Sequence, residues 1–345
     1  MTDLKSLDLT ELTQTVKGMG EPAFRAKQLY EWMHVHLVRN YDEMKNIPKS
    51  LKEKFLKECD FTSLKIARVQ ESAIDGTRKY LFELEDHNFV ESVFMRYKHG
   101  NSVCISSQVG CRMGCKFCAS TLDGLERNLK PSEMLDQIYA ISKDTGERVS
   151  NIVVMGTGEP LDNFDTLVKF IKLISNSDGL NISQRNITVS TCGLVPRIYD
   201  LSREDFQITL ALSLHATNDE KRRELMPIAN KYSIEELMEA CSAYFNNTGR
   251  RISFEYALVG GVNDTRDDAQ ELSALAKRVN AHVNLIPVNP IKERAYVRSS
   301  HEAIVAFKNK LEKNGINVTI RRELGSDIDG ACGQLRRRHV SESAN

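Results

Sequence analysis

No stretch of this sequence approaches the ~20 consecutive apolar residues that a membrane-spanning helix needs, so no membrane partner is expected. The amino-terminal MTDLKSLDLTELTQTVKG has no apolar core flanked by basic residues, and a secretion signal is not expected either. Low-complexity segments and internal repeats are missing. Charge of either sign is not in excess: 47 Lys and Arg balance 47 Asp and Glu. Any basic surface for a nucleic acid must therefore be local. What the chain has is length and apolar content: 345 residues, 41% hydrophobic, enough for two domains or one large domain with an appendage.

Eight cysteines call for a role. In a chain with no export signal they point to metal binding or catalysis before a disulfide framework, and to a cytoplasmic location. Cys111, Cys115 and Cys118 fall in GCRMGCKFC, with three residues between the first pair and two between the second. No second CxxC and no HxxxH accompanies them, so a closed four-ligand zinc site lacks its partners. No cysteine lies between Cys118 and Cys192, so a ferredoxin-like carrier lacks its fourth ligand. Three soft thiolates can hold three irons of a [4Fe–4S] cluster and leave the fourth open to a chelating ligand. This spacing is the radical S-adenosylmethionine signature.

The organisation follows from periodicity. Residues 1–75 read as a helical accessory domain: one helix opens at Glu21-Pro22 and runs through Phe24, Leu29, Tyr30 and Met33 to His34, and another starts near Pro48 with Leu51 and Phe55 at i and i+4. Over 76–100, runs at 79–85 and 89–97 flank Asp86-His87-Asn88 and predict a β-hairpin connection. Over 101–340 the pattern becomes strand–helix alternation, with 341–345 a tail. Apolar, β-branched runs recur at 103–107, 152–155, 187–190, 207–214, 252–258, 282–288 and 317–321. Helical patterns at 131–144, 163–175, 233–247, 266–279 and 301–313 separate them, with Pro131 in a first turn and Ser233 with Glu236 as a capping box. The predicted fold class is α/β: a partial (β/α)6 barrel with a small helical accessory domain.

Ligands of such sheets bind beyond the carboxyl ends of the strands. After NIVVM comes GTGEP, where Gly158 allows close backbone approach and Glu159 suits the amino group of an amino-acid ligand. After NITV comes Ser190, after ITLAL come Ser213, Leu214 and His215, and after NLIPV comes Asn289. Each alone is more often a structural polar group; their shared rim makes them a candidate site for an adenosyl ligand. Cys104, on the first barrel strand, and Cys332, in DIDGACGQL just past the last, are candidates for thiol chemistry, with core packing the alternative. Core packing is the expected role of Cys59, Cys192 and Cys241, least firmly for Cys192 because it lies beside Ser190.

ISSQVGCRMGCKFCAS, GLERNL, VVMGTGEPLDN, SLHATND, ELMPI, NLIPVNP and DIDGACGQL occur in that order, behind the helical amino terminus. In these motifs the chain resembles, nearly end to end, the dual-specificity adenine C2 methyltransferases of 23S ribosomal RNA, within the radical S-adenosylmethionine class. The resemblance implies that Cys111, Cys115 and Cys118 bind the cluster and that Gly158, Glu159, Ser190, Ser213, Leu214, His215 and Asn289 contact S-adenosylmethionine. It implies that Cys332 is methylated, that Cys104 resolves it, and that Glu91 accepts a proton. On its own Glu91, in FVESVF, reads as a solvated strand carboxylate.

The implied reaction uses two S-adenosylmethionine molecules per turnover. One methylates the Cys332 thiolate; a second is cleaved reductively to a radical that takes hydrogen from the S-methyl group. The methylene radical adds to adenine C2, Glu91 removes the ring proton, and Cys104 attacks the Cys332 sulfur in a transient disulfide that frees the product. Implied partners are 23S rRNA, with tRNA a second candidate, and a flavodoxin- or ferredoxin-type electron donor to a monomeric enzyme. Arg25, Lys27 and the lysines of 49–57, with Arg336, Arg337 and Arg338, are the candidate phosphate contacts, and ordinary solvated charge is the alternative for the first group. The rival readings are a C8 adenine methyltransferase of the same fold and a non-catalytic iron–sulfur electron carrier.

Overall fold

A computed structural model describes residues 1–289, 296–328, 335, 336 and 339. The amino-terminal unit is built on α1 (Leu9–Gly18), α2 (Phe24–His34) and α3 (Lys49–Glu58). Asp8 caps α1 by accepting the Glu11 N–H, and the Glu11 carboxylate accepts the Asp8 N–H in return. Leu12, Val16, Leu29, Met33, Leu51 and Phe55 turn inward at helical spacing and are fully buried. A short parallel pair, β1 (Thr2–Asp3) with β2 (Cys59–Asp60), closes the unit.

The main sheet begins with antiparallel strands β3 (Lys65–Glu71), β4 (Arg78–Glu83) and β5 (Phe89–Tyr97), and β5 pairs antiparallel with β6 (Gly100–Cys104). A separate hairpin, β7 (Gln108–Gly110) and β8 (Leu125–Asn128), follows. From β6 onward the sheet is parallel through β9 (Val149–Val154), β10 (Ile187–Thr191), β11 (Thr209–Ser213), β12 (Ile252–Leu258), β13 (His282–Pro287) and β14 (Val318–Ile320). Among the described residues β3 and β14 form its two unjoined edges, so the barrel stays open. The seven parallel strands coincide with the seven apolar runs of the sequence.

The connections carry α4 (Pro131–Thr145), α5 (Phe164–Ile174), α6 (Val195–Arg203), α7 (Asp219–Leu225), α8 (Ile234–Thr248), α9 (Arg266–Arg278) and α10 (His301–Lys313). Five of these match the expected helices to within two residues, and the Ser233–Glu236 capping box is present. Two were not expected: α6 and α7 are too short for a clear apolar period, although Val195, Ile198 and Leu201 form a buried stripe.

The helical reading of residues up to 75 also needs correction. Helix ends at Glu58, and Lys65–Glu71 is a strand whose residues alternate between exposed and half-buried. Its charge-rich sequence suits a sheet edge, and its two large apolar residues, Ile66 and Val69, stand three apart and so show no period of two. The expected hairpin is thus the inner part of a three-stranded extension of the barrel sheet.

Candidate active site

The three signature cysteines ride on a loop held at its root by the β7–β8 hairpin. Gly110 ends β7 at φ +74°, and the Gly124 carbonyl oxygen lies 2.1 Å from where a Cβ would stand. Only glycine permits this approach, which lets the Cys111 N–H donate to Gly124 O at 2.7 Å. Thr121 Oγ1 donates to the carbonyls of Cys115 (3.1 Å) and Cys118 (3.0 Å), and the Lys116 N–H to Leu225 O (2.9 Å). The loop is therefore fixed by backbone contacts that leave its sulfurs facing a cavity of about 270 Å³.

That cavity is lined by Cys111, Cys115, Cys118, Gly158, Glu159, Ser190, Ser213, His215 and Asn289 together. Residues spread over 179 positions of sequence (111 to 289) meet because the cysteine loop leaves the β7–β8 hairpin that follows β6, and the others end or follow parallel strands. Leu214 does not line it: its side chain is buried, and its N–H donates to Glu255 O at 3.0 Å. Cys192, expected in the core, does line it. Cys59 and Cys241 are buried in the apolar core, as expected. Cys332 lies outside the described residues, as do Arg337 and Arg338.

The Glu159 carboxylate has both oxygens engaged by backbone. Oε1 accepts the Leu161 N–H at 3.0 Å and Oε2 the Cys192 N–H at 2.7 Å, which ties the GTGEP loop to the end of β10. Burial pushes its pKa above the ordinary carboxylate range, against these hydrogen bonds. His215 sits at φ +56° and its Nδ1 accepts the Ala257 N–H at 2.9 Å, so the ring proton is on Nε2. Burial holds its pKa down at about 3, and the ring is neutral.

Three functional groups escaped the sequence reading. Gln108 takes the Glu159 N–H on Oε1 (2.8 Å) and donates from Nε2 to Asn128 and Asp162, so it joins the hairpin to the GTGEP loop. Arg222 is wholly buried and donates to the carbonyls of Cys192 (2.7 Å) and Leu214 (3.2 Å), clamping the ends of two neighbouring strands. Glu255 lines the cavity from within ISFEYAL and accepts from Ser253 Oγ (2.9 Å) and Asn284 Nδ2 (2.8 Å). A lone carboxylate inside an apolar strand was the available signal.

Glu91 and Cys104 do not line this cavity, but they share the sheet face that leads to it. In register, Lys79 of β4 opposes Val93 of β5, Val93 opposes Cys104 of β6, Cys104 opposes Val153 of β9, and Val153 opposes Thr188 of β10. Opposed residues project on one side of a sheet, as do residues two apart, so Lys79, Glu91, Cys104 and Ser190 share a face. Ser92, on the other face, donates to Gln137 of α4. The solvated reading of Glu91 is overturned: its side chain is 4% exposed and Oε2 lies 3.0 Å from Lys79 Nζ, itself 0% exposed. Glu91 Oε1 accepts the Arg336 N–H at 2.6 Å.

The thiols suit a cluster better than a single ion. Among the described residues no three His, Cys, Asp or Glu side chains converge on one metal position. A four-iron cluster needs no such convergence, because each thiolate takes a different iron. Burial drives the Cys111 thiol up to about 12 and Cys115 higher still, so they ionise here only against bound cations, which soft iron provides.

Two family models match the chain: the radical SAM superfamily over residues 105–276, and the ribosomal RNA large subunit methyltransferase N-terminal domain over residues 2–60. The first defines the class, a radical S-adenosylmethionine enzyme, whose cofactors are a [4Fe–4S] cluster and S-adenosylmethionine. The chain is 62% identical over 342 residues to the "Probable dual-specificity RNA methyltransferase RlmN" of Lachnospira eligens, covering 99% of this chain and 98% of that one. It is 54% identical over 341 residues to the protein of the same description from Clostridium novyi, covering 99% of each. A solved radical SAM methyltransferase from Sphaerobacter thermophilus superposes with TM-score 0.93 at 41% identity, over 97% of this chain and 99% of that one. The chain belongs to the RlmN family of radical SAM RNA methyltransferases.

Proposed function

We propose that this enzyme methylates C2 of an adenine in 23S ribosomal RNA, with transfer RNA a second substrate, and that the methyl group travels on Cys332. The reading rests on one observation above all: Glu91 and Cys104 lie on the sheet face that runs into the cavity of the three cysteines. The sequence likeness to the dual-specificity enzymes, unbroken over 99% of the chain, supports it.

Each of the chain's own residues then has a task. Cys111, Cys115 and Cys118 would hold the cluster; bound there, it supplies the electron that cleaves S-adenosylmethionine homolytically. Ser190, Ser213, His215 and Asn289 offer hydrogen bonds to the ligand's polar groups, and Gly158, at φ +112°, lets the loop pack against Gln108 where it lines the cavity. Glu159 lines the same cavity and offers the remaining lone pairs of its carboxylate to the ligand's ammonium group. Adenine C2 is electron-poor and no nucleophile towards a sulfonium, whereas the Cys332 thiolate is. Once the carbon is joined to C2 and the unpaired electron has passed to a one-electron acceptor, Glu91 takes the ring proton; Cys104 then attacks the Cys332 sulfur, the S–C bond breaks with its electron pair on the methylene carbon, and a proton completes the methyl group.

RNA is met by the helical unit, where Phe24 is exposed beside the Arg25 guanidinium and Lys27 and Lys57 face solvent. Lys54 is committed to Glu21 instead. A flavodoxin- or ferredoxin-type protein supplies electrons to a monomer in the cytoplasm. Among the described residues no helix is long and apolar enough to cross a membrane. The test is mass mapping of 23S rRNA incubated with reconstituted enzyme, S-adenosylmethionine and reductant. The expected product is 2-methyladenosine; methylation at C8, or deoxyadenosine release without base methylation, overturns the reading.

A further inference from the structure

We infer that Lys79 is a positioning residue for the proton-removal step, acting through Glu91. This rests on the reading of Glu91 as the base and goes beyond it by giving the base a partner. The two side chains meet diagonally across β4 and β5, since Leu81 is the residue directly opposed to Glu91 and Lys79 lies two residues before it. The Lys79 side chain is fully buried, with its ammonium 3.0 Å from Glu91 Oε2. A solvated lysine would gain little from such a pair; a buried ammonium persists only where a counter-charge is held beside it.

The geometry divides the carboxylate between two jobs. Oε2 belongs to Lys79, and Oε1 accepts the N–H of Arg336, four positions after Cys332. Oε1 is thus the oxygen not engaged by Lys79, and it meets Arg336, which follows Cys332 closely in sequence. With Oε2 anchored, the carboxylate cannot rotate its second oxygen away, and Oε1 takes the ring proton while Lys79 stays an ammonium throughout. The C–H electron pair returns to the ring, and the unpaired electron left there by the radical addition goes to a one-electron acceptor, which the iron–sulfur cluster of the family's reaction would supply. Cys104 lies in the same sheet row as Lys79, one strand beyond Val93, so the group that closes the cycle stands on the face the ion pair occupies.

A pair that only stabilises the fold would affect every step alike. A positioning pair acts after the carbon is joined to the base and before the disulfide forms. The experiment uses full-length reconstituted Lys79→Met, Lys79→Arg, Lys79→Gln and Glu91→Gln enzymes with 23S rRNA, S-adenosylmethionine and reductant. Intact mass reports Cys332 methylation without RNA, and denaturing gels report protein–RNA adduct. Expected for K79M is unchanged Cys332 methylation, a roughly hundredfold slower product release, and accumulated adduct, as in E91Q. K79R recovers most of the rate, and K79Q, which keeps a donor to Oε2 without charge, falls between.

K79M turning over at the wild-type rate, or without adduct while E91Q accumulates it, overturns the role of Lys79. If E91Q itself neither slows release nor accumulates adduct, the reading of Glu91 is what fails. Should K79M not fold, K79Q decides: wild-type turnover there overturns the inference, and adduct with normal Cys332 methylation supports it.

Discussion

The Lys5 ammonium lies 2.7 Å from the Asp136 carboxylate, with both side chains almost wholly buried, and the pair joins the amino-terminal unit to α4 of the barrel. Lys5 also donates to Thr62 O at 2.5 Å, and Asp136 Oδ2 accepts the Leu64 N–H at 2.6 Å. Taking away one partner strands the other charge out of water. Asp136→Asn is expected to lower the unfolding free energy by about 3–5 kcal/mol in urea titrations. The double change Lys5→Met with Asp136→Leu should cost less than the two single losses added together. Strict additivity would remove the coupling.

Cys118→Ala leaves two of the three loop thiols. Bound iron after anaerobic reconstitution is expected to fall to background, with loss of the visible absorbance and of RNA methylation. The melting temperature of the iron-free protein should stay close to wild type, because the loop is held by backbone hydrogen bonds and by Thr121. Iron retained at wild-type stoichiometry would contradict the ligand assignment.

At Glu159, binding and folding roles separate. Gln offers one acceptor oxygen where two backbone N–H groups now point, so Glu159→Gln should weaken S-adenosylmethionine binding and also cost the ligand-free protein about 1–3 kcal/mol. Gly158→Ala meets the Gln108 backbone nitrogen at 2.8 Å in a left-handed conformation and should do the same more severely. Calorimetric binding beside chemical denaturation checks both; an effect on binding alone would mean that the loop does not need these contacts.

Acid should destabilise the protein through His34. It is buried with Nδ1 2.8 Å from the Tyr139 hydroxyl, and desolvation, then nearby Lys5, lower its pKa to about 3. The unfolded chain binds a proton near pH 6.5 that the folded chain refuses, so this contribution is complete above about 6.5 and is lost as pH falls towards 3. Within that window it adds a slope of about 1.4 kcal/mol per pH unit. His34→Asn, which keeps a polar partner for Tyr139, should flatten the stability profile between pH 6 and 4. An unchanged slope would mean that His34 titrates normally.

What the sequence made legible was what lies close along the chain. The seven parallel strands showed as β-branched runs because both their faces are buried, and the cluster loop showed as a spacing of thiols. Arg222 and Gln108 stayed hidden because their partners, main-chain atoms and for Gln108 also the Asn128 and Asp162 side chains, are brought near only by folding. Glu91 was misjudged on its own for the same reason: its partners are Lys79 on the next strand and Arg336, 245 positions away. Strand Lys65–Glu71 was missed because an exposed edge has no apolar face to betray it.

The sheet that runs unbroken from β3 to β14 also works as a ruler. Neighbouring strands in a hydrogen-bonded ladder stand about 4.8 Å apart, and three such steps separate β5, which bears Glu91, from β10, which bears Ser190. The reach of about 14 Å between Glu91 and Ser190 is thus counted in strands. Lengthening any connecting loop leaves that span untouched, so the surface of the molecule can change while the separation of these two strands stays the same.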